Sequence, residues 1–132
     1  MRNVQLVYTI VCDDVRVEMG NKLSLMGVFE NVFFAGLPSV LLKFAVVNHW
    51  HGVGEYQTQV RLLYPDRREF VVSQPSKFNI ENVGYADNVK FFTNVAFDRA
   101  GVYTLQSFID GKAVAESSLY IHIVQPAPTT VN

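Results

Sequence analysis

A single cysteine, Cys12, stands in 132 residues, which excludes an intrachain disulfide. It sits in an apolar run, where a buried thiol acts as a small hydrophobe. A reducing compartment suits one unpaired cysteine of this kind. Charge is equally sparse: 17% of residues are Asp, Glu, Lys or Arg, with 11 cations against 12 anions. Globular domains carry about 25%. A thinly charged surface leaves apolar area for a partner to cover. Basic residues form no stripe, and the densest cluster, Arg67-Arg68, follows Pro65-Asp66 and is closed at once by Glu69. That reads as a solvated turn, so no nucleic-acid partner is expected.

Long hydrophobic runs are missing too. The uncharged stretch 31–42 is too short to span a bilayer and contains Pro38. Near the start, the apolar run 6–12 is interrupted by Thr9 and stopped by Asp13-Asp14. A secretory leader needs a longer apolar centre and a small-residue cleavage site. Val11 before Cys12 is equally poor for a lipoprotein cleavage box. The expectation is a soluble, cytoplasmic protein with no membrane partner.

What remains is a chain of β-type segments. The apolar share of 49% is enough for one core in one domain, placed at residues 1–125, with a Pro- and Thr-bearing tail at 126–132. Alternation of apolar and polar residues predicts strands at 5–12, 23–29, 40–47, 55–64, 69–72, 76–80, 88–97, 102–109 and 113–124. The first strand is expected to end at Asp13-Asp14 or to run on through 15–18 after a bulge. In 55–64, Tyr56, Thr58, Val60, Leu62 and Tyr64 share one face, and Gln57, Gln59 and Arg61 the other. In the last strand Ala113, Ala115, Ser117, Leu119, Ile121 and Ile123 are expected to face inward. Turns fall at Gly20-Asn21 and Asp110-Gly111, residues that accept left-handed backbone. Gly27 marks a bulge or a close approach of backbones. Residues 48–54, with Gly52 and Gly54, read as a loop, and 82–87 as a connection. So many short one-sided strands predict an all-β, antiparallel two-sheet sandwich of immunoglobulin-like appearance, with a closed barrel as runner-up.

Chemistry-bearing motifs are scarce. No Gly-x-Ser-x-Gly elbow occurs, and Gly52-Val53-Gly54 lacks the third glycine and the helix of a dinucleotide site. Asp13 and Asp14 are adjacent, so in a strand they point to opposite faces. The simplest role for them is binding nearby backbone amides. Asp14 with Glu18 could join a calcium site only if several more oxygens converged. His49 and His51 flank Trp50, and zinc would need at least one further ligand. A surface loop carrying Trp50 as an aromatic anchor is the better expectation for a binding surface. The candidate site residues are therefore Asp13, Asp14, Glu18, His49, Trp50 and His51, with no catalytic residue, no metal and no cofactor.

The segment Cys12-Asp13-Asp14-Val15-Arg16-Val17-Glu18-Met19-Gly20-Asn21-Lys22-Leu23-Ser24-Leu25-Met26-Gly27-Val28-Phe29 resembles the opening of an uncharacterised family of small bacterial proteins. Gly101-Val102-Tyr103 and Asp110-Gly111 are similar as well, so the resemblance covers most of the chain. It implies a bacterial β-domain in a cytoplasmic setting and supplies no catalytic residue and no cofactor. On function, the expectation is a non-enzymatic protein-binding or assembly module, in one form a homodimer. Two alternatives stay open: a small-molecule or metal-binding protein using loops at one end of the sandwich, and an enzyme.

Overall fold

The computed structural model describes residues 3–124. The tail expected at 126–132 lies outside them. Eight strands follow one another: β1 (Val4–Glu18), β2 (Lys22–Val28), β3 (Asn31–Phe34), β4 (Ser39–Leu63), β5 (Glu69–Val72), β6 (Ser76–Phe97), β7 (Gly101–Ile109) and β8 (Lys112–Ile123). Hydrogen bonds join all eight into a single sheet, in the order β2-β1-β4-β7-β8-β3, with β5 and β6 on the other side of β4. β3 runs parallel to β8, so the sheet is mixed.

This corrects the expected fold. Two separate sheets would need a break in the hydrogen bonding, and β4 removes it by pairing with β1, β5, β6 and β7. The immunoglobulin-like sandwich is therefore not the architecture. Nor is the runner-up barrel, because β2 and β3 end the strand path without pairing to each other. The error began in two segments. Residues 48–54 are not a loop but the middle of the 25-residue β4, and 82–87 are not a connection but the middle of the 22-residue β6.

Strands this long do not stay straight. Twenty-five residues fully extended would reach about 80 Å. Ser39 pairs with Phe97 and Leu63 with Thr104, and those partners are only seven positions apart in the chain. Seven residues span at most about 25 Å. The two ends of β4 therefore come back toward each other, and the sheet doubles over on itself. Asn48 confirms the apposition: its Nδ2 donates to Ser107 Oγ at 3.0 Å, and Ser107 pairs with Val60 in the far half of β4. The irregularity falls at Gly52–Gly54, where the register with β6 shifts. Gly52 also lets β1 lie close, since a Cβ there would sit 2.1 Å from the Asn3 carbonyl oxygen.

The doubled sheet encloses its own core. Phe44 and Val46 from one half of β4 share a cluster with Val60 and Leu62 from the other. Phe97 and Tyr103 cross edge to face at 5.2 Å in the same cluster. Burying one such side chain contributes about 1.5–3 kcal/mol. Tyr103 is fully buried, and its hydroxyl donates to the Arg99 carbonyl at 2.8 Å. A second cluster holds Cys12, Ala45 and Val47, and a third holds Trp50, Tyr56 and Ile109.

Local expectations fared unevenly. β5 lies where the alternation placed it, and Tyr56, Thr58, Val60 and Leu62 are all buried. Asp110 and Gly111 both have positive φ, 49° and 80°, as the tight hairpin turn demands. β1 has no bulge at Asp13-Asp14; its register shift falls between Leu6 and Tyr8. β3 was not foreseen, because four residues carry too little periodicity. In β8 only Leu119 and Ile121 are buried. The register with β7 shifts between Ser107 and Phe108, so Val114 is an extra residue and the alternation before it is inverted.

Candidate interaction face

The six sequence-selected residues do not form one site. β1 pairs with β4 through Val4–Cys12 and with β2 through Cys12–Glu18, which carries Asp13, Asp14 and Glu18 away from the histidines. The Asp14 carboxylate accepts from Lys43 Nζ at 3.0 Å and from the Val15 amide at 2.9 Å. These contacts, the lysine first, hold it below the ordinary carboxylate range. Asp13 lies over Gly27 beside a shallow hollow of about 310 Å³ that also touches Phe29, Val32 and Leu41. Glu18 is exposed opposite Lys22 at the first hairpin. Cys12 is buried, and burial pushes its thiol up.

Trp50 is 1% exposed and packs on Phe78 at 5.9 Å, so it is a core side chain and not a surface anchor. Its neighbours His49 and His51 point to the opposite face, as alternation along a strand requires. Among the described residues, no three His, Cys, Asp or Glu side chains converge to hold a metal ion.

His49 instead lies in a ladder of rings across three strands. Tyr8 of β1 stacks on it at 4.7 Å and 16°, and Tyr85 of β6 stacks on its other side at 5.0 Å and 9°. These spacings are those of neighbouring strands, so the rings stand on edge and cover one another's faces. Asp87 sits opposite His49, and its carboxylate accepts from His49 Nδ1 at 2.6 Å. A carboxylate only accepts, so the proton is on Nδ1 and the ring orientation is fixed. Burial, with the Asp87 charge beside it, pushes the Tyr8 hydroxyl up. His51 tilts against Tyr85 at 4.7 Å and lines an open groove of about 440 Å³ with Gln5, Val53 and Val83.

The ladder ends at a free edge. β6 pairs with β4 alone, and its register is continuous from Gly84 opposite Gly52 to Thr93 opposite Lys43. No other backbone hydrogen bond reaches this stretch among the described residues. Three large apolar side chains stand on its outer face: Val83 is 70% exposed, Tyr85 65% and Phe91 48%. Sequence reasoning named His49 and His51 but missed Tyr8, Tyr85 and Asp87. The signal for the last two was partly present: Val83 and Tyr85 share the parity of Val89 and Phe91, interrupted by Asp87, so the pattern of the expected strand 88–97 extends back into the segment read as a connection.

A family model described as a family of unknown function (DUF6941) matches residues 7–122. No curated protein matches the chain. Among solved structures, the Pseudomonas fluorescens alkylpurine DNA glycosylase AlkC, bound to DNA containing an abasic site analog, is similar at a TM-score of 0.55 and 4% identity. The match covers 91% of this chain and 30% of that one. A β-glucosidase from Listeria innocua is similar at a TM-score of 0.54 in complex with isofagomine and 0.53 in a second structure, both at 9% identity. There the match covers 90% of this chain and 16% of the glucosidase. The chain thus spans under a third of the glycosylase and about a sixth of the glucosidase, and the likeness is one of fold.

Proposed function

We propose, for a chain that belongs to the family of unknown function DUF6941, a role as a non-enzymatic protein-binding or assembly module. The observation that carries this reading is the edge of β6, unpaired among the described residues and flanked by exposed Val83, Tyr85 and Phe91. A free strand edge is a row of unpaired backbone donors and acceptors, and proteins usually shield it. Here apolar and aromatic side chains accompany it, which is the composition of a contact surface.

Neither glycosylase nor glucosidase chemistry is carried over at 4% and 9% identity. Tyr8 and Tyr85 meet the ring of the Asp87-bound His49 face to face. No helix among the described residues is long and apolar enough to cross a membrane. A cytoplasmic setting, supported by the single buried thiol, belongs to the same proposal.

Photo-crosslinking in the native host tests it. A benzophenone side chain placed at Val83 is expected to give covalent protein adducts, and one at exposed Ser118 on β8 to give none. No adduct from either position, or equal adducts from both, would overturn the reading.

A further inference from the structure

We infer that the occupant of the β6 edge is a second copy of this chain, its own β6 pairing antiparallel about a two-fold axis at Asn88. This rests on the binding-module reading and names its partner.

The free edges differ in what they offer. β3 and β5 have four residues each, too short to template a stable pair. The free side of β1 is broken by the register shift between Leu6 and Tyr8. β2 has seven residues and carries left-handed Gly27 at φ 67° near its end. Among the described residues, 84–93 of β6 is the longest regular free stretch, bounded by the register shift opposite Gly52–Gly54 and by left-handed Asn94 at φ 53°. Edge strands are normally guarded by outward charges. This stretch has two charged residues, and both are engaged within the chain. Asp87 is held by His49 at 2.6 Å, and Lys90 Nζ turns back to the Gln74 carbonyl at 3.0 Å.

Symmetry and side-chain chemistry then select the register. A two-fold axis normal to the sheet keeps every side chain on its own face, so each residue must oppose one of the same parity. With the axis at Asn88, Tyr85 opposes the second copy's Phe91, and Phe91 opposes the second copy's Tyr85. Both are exposed on the outer face, and aromatic pairs directly across strands stabilise sheets. Asp87 opposes Val89 and Lys90 opposes Ala86, so no like charges meet. An axis at Asp87 would set two carboxylates against each other. One at Tyr85 would run the pairing into the irregular segment before Gly84. The Asn88 register also prolongs the ring ladder: Tyr8, His49 and Tyr85 of one copy lead to Phe91 of the next, on which Lys43 sits at 4.8 Å.

An edge contact of this size lies at the small end of specific interfaces. The expected behaviour is a reversible monomer–dimer equilibrium with a midpoint of about 1–100 μM. Sedimentation equilibrium over a wide concentration range should move the mass from 14.9 kDa toward twice that value. Tyr85→Lys and Phe91→Glu should each weaken dimerisation, Phe91→Glu by at least about tenfold, because by symmetry each removes the cross-strand aromatic pair twice and Phe91→Glu also sets a carboxylate against the negative face of the opposing Tyr85 ring. Combining them in one chain sets a cation opposite a carboxylate twice and should restore the dimer. Val102→Lys, on an exposed position of β7, should change nothing. Unaltered thermal stability of each variant shows that the fold is intact.

A monomer at every concentration overturns the inference, as does a dimer indifferent to the single substitutions or not rescued by the pair. The Val83 crosslink separates this failure from that of the module reading. An adduct with the mass of two copies supports self-pairing. An adduct with another protein overturns self-pairing and leaves a binding module. No adduct overturns both.

Discussion

Replacing Asn48 by alanine removes the link between the two halves of the doubled sheet. Asn48 is 1% exposed on β4. Its Oδ1 accepts from Thr9 Oγ1 of β1 at 2.6 Å, and its Nδ2 donates to Ser107 Oγ of β7 at 3.0 Å. Losing two such bonds costs about 1 kcal/mol each, and leaving the buried Ser107 hydroxyl without its partner adds about 1–3 kcal/mol. The expected loss is about 3–5 kcal/mol, a large part of the roughly 5–15 kcal/mol of a typical domain. Urea unfolding followed by Trp50 fluorescence reads it directly. With a slope of about 1–3 kcal/mol per molar urea, the midpoint should fall by roughly 1–5 M. The all-apolar combination Asn48→Leu, Thr9→Val and Ser107→Ala should recover most of the loss, because no orphaned polar group remains. A loss below about 0.5 kcal/mol for Asn48→Ala, within the range of an ordinary surface change, would refute the apposition of the β4 halves.

Two glycines paired directly across β4 and β6 should respond in opposite ways. Gly52→Ala forces a methyl group to within 2.1 Å of the Asn3 carbonyl oxygen and should destabilise by about 1–3 kcal/mol in the same urea assay. Gly84→Ala, whose nearest atom would be 3.5 Å away, should be neutral or slightly stabilising. Burial pushes the Tyr103 hydroxyl from 10.0 up to about 12. Unfolded tyrosine ionises first, so stability is complete below about pH 10 and falls as the pH rises toward 12. Melting temperature against pH should show that loss, and Tyr103→Phe should flatten it while costing about 1 kcal/mol at neutral pH for the lost bond to Arg99. The sole tryptophan, Trp50, should emit as a buried indole and resist iodide quenching until the chain unfolds; quenching in the folded state would contradict its place in the core.

The sequence was most legible where one short segment decides its own structure. The Asp110-Gly111 turn, β5, and the buried face Tyr56, Thr58, Val60 and Leu62 need only local chemistry, and all three stand as expected. β4 was illegible because His49-Trp50-His51-Gly52-Val53-Gly54 has the composition of a loop. Pairing on both sides, with β1 and β6, overrides that composition and keeps the strand running. Reading one strand as two also turned one doubled sheet into two separate ones. Trp50 was assigned to the surface for the same reason, and continuity of the strand puts it in the core. The candidate face suffered in a different way. His49 draws notice on its own, but Tyr8 and Tyr85 reach it only through long-range register, which no local window contains. Asp14 and Glu18 looked equally promising and are carried away because β1 changes partners at Cys12.

Amide hydrogen exchange along β6 at two protein concentrations, one well below and one well above the dimer midpoint, examines the open edge most directly. In dilute protein every second amide from 84 to 92 should exchange fast, since only alternate residues of an edge strand donate to β4. In concentrated protein those same amides should become slow, while the β4 amides stay slow throughout. Uniform protection along β6 in dilute protein would mean that the edge is already covered within the chain. Labile alternate amides at both concentrations would mean that no second copy pairs with it.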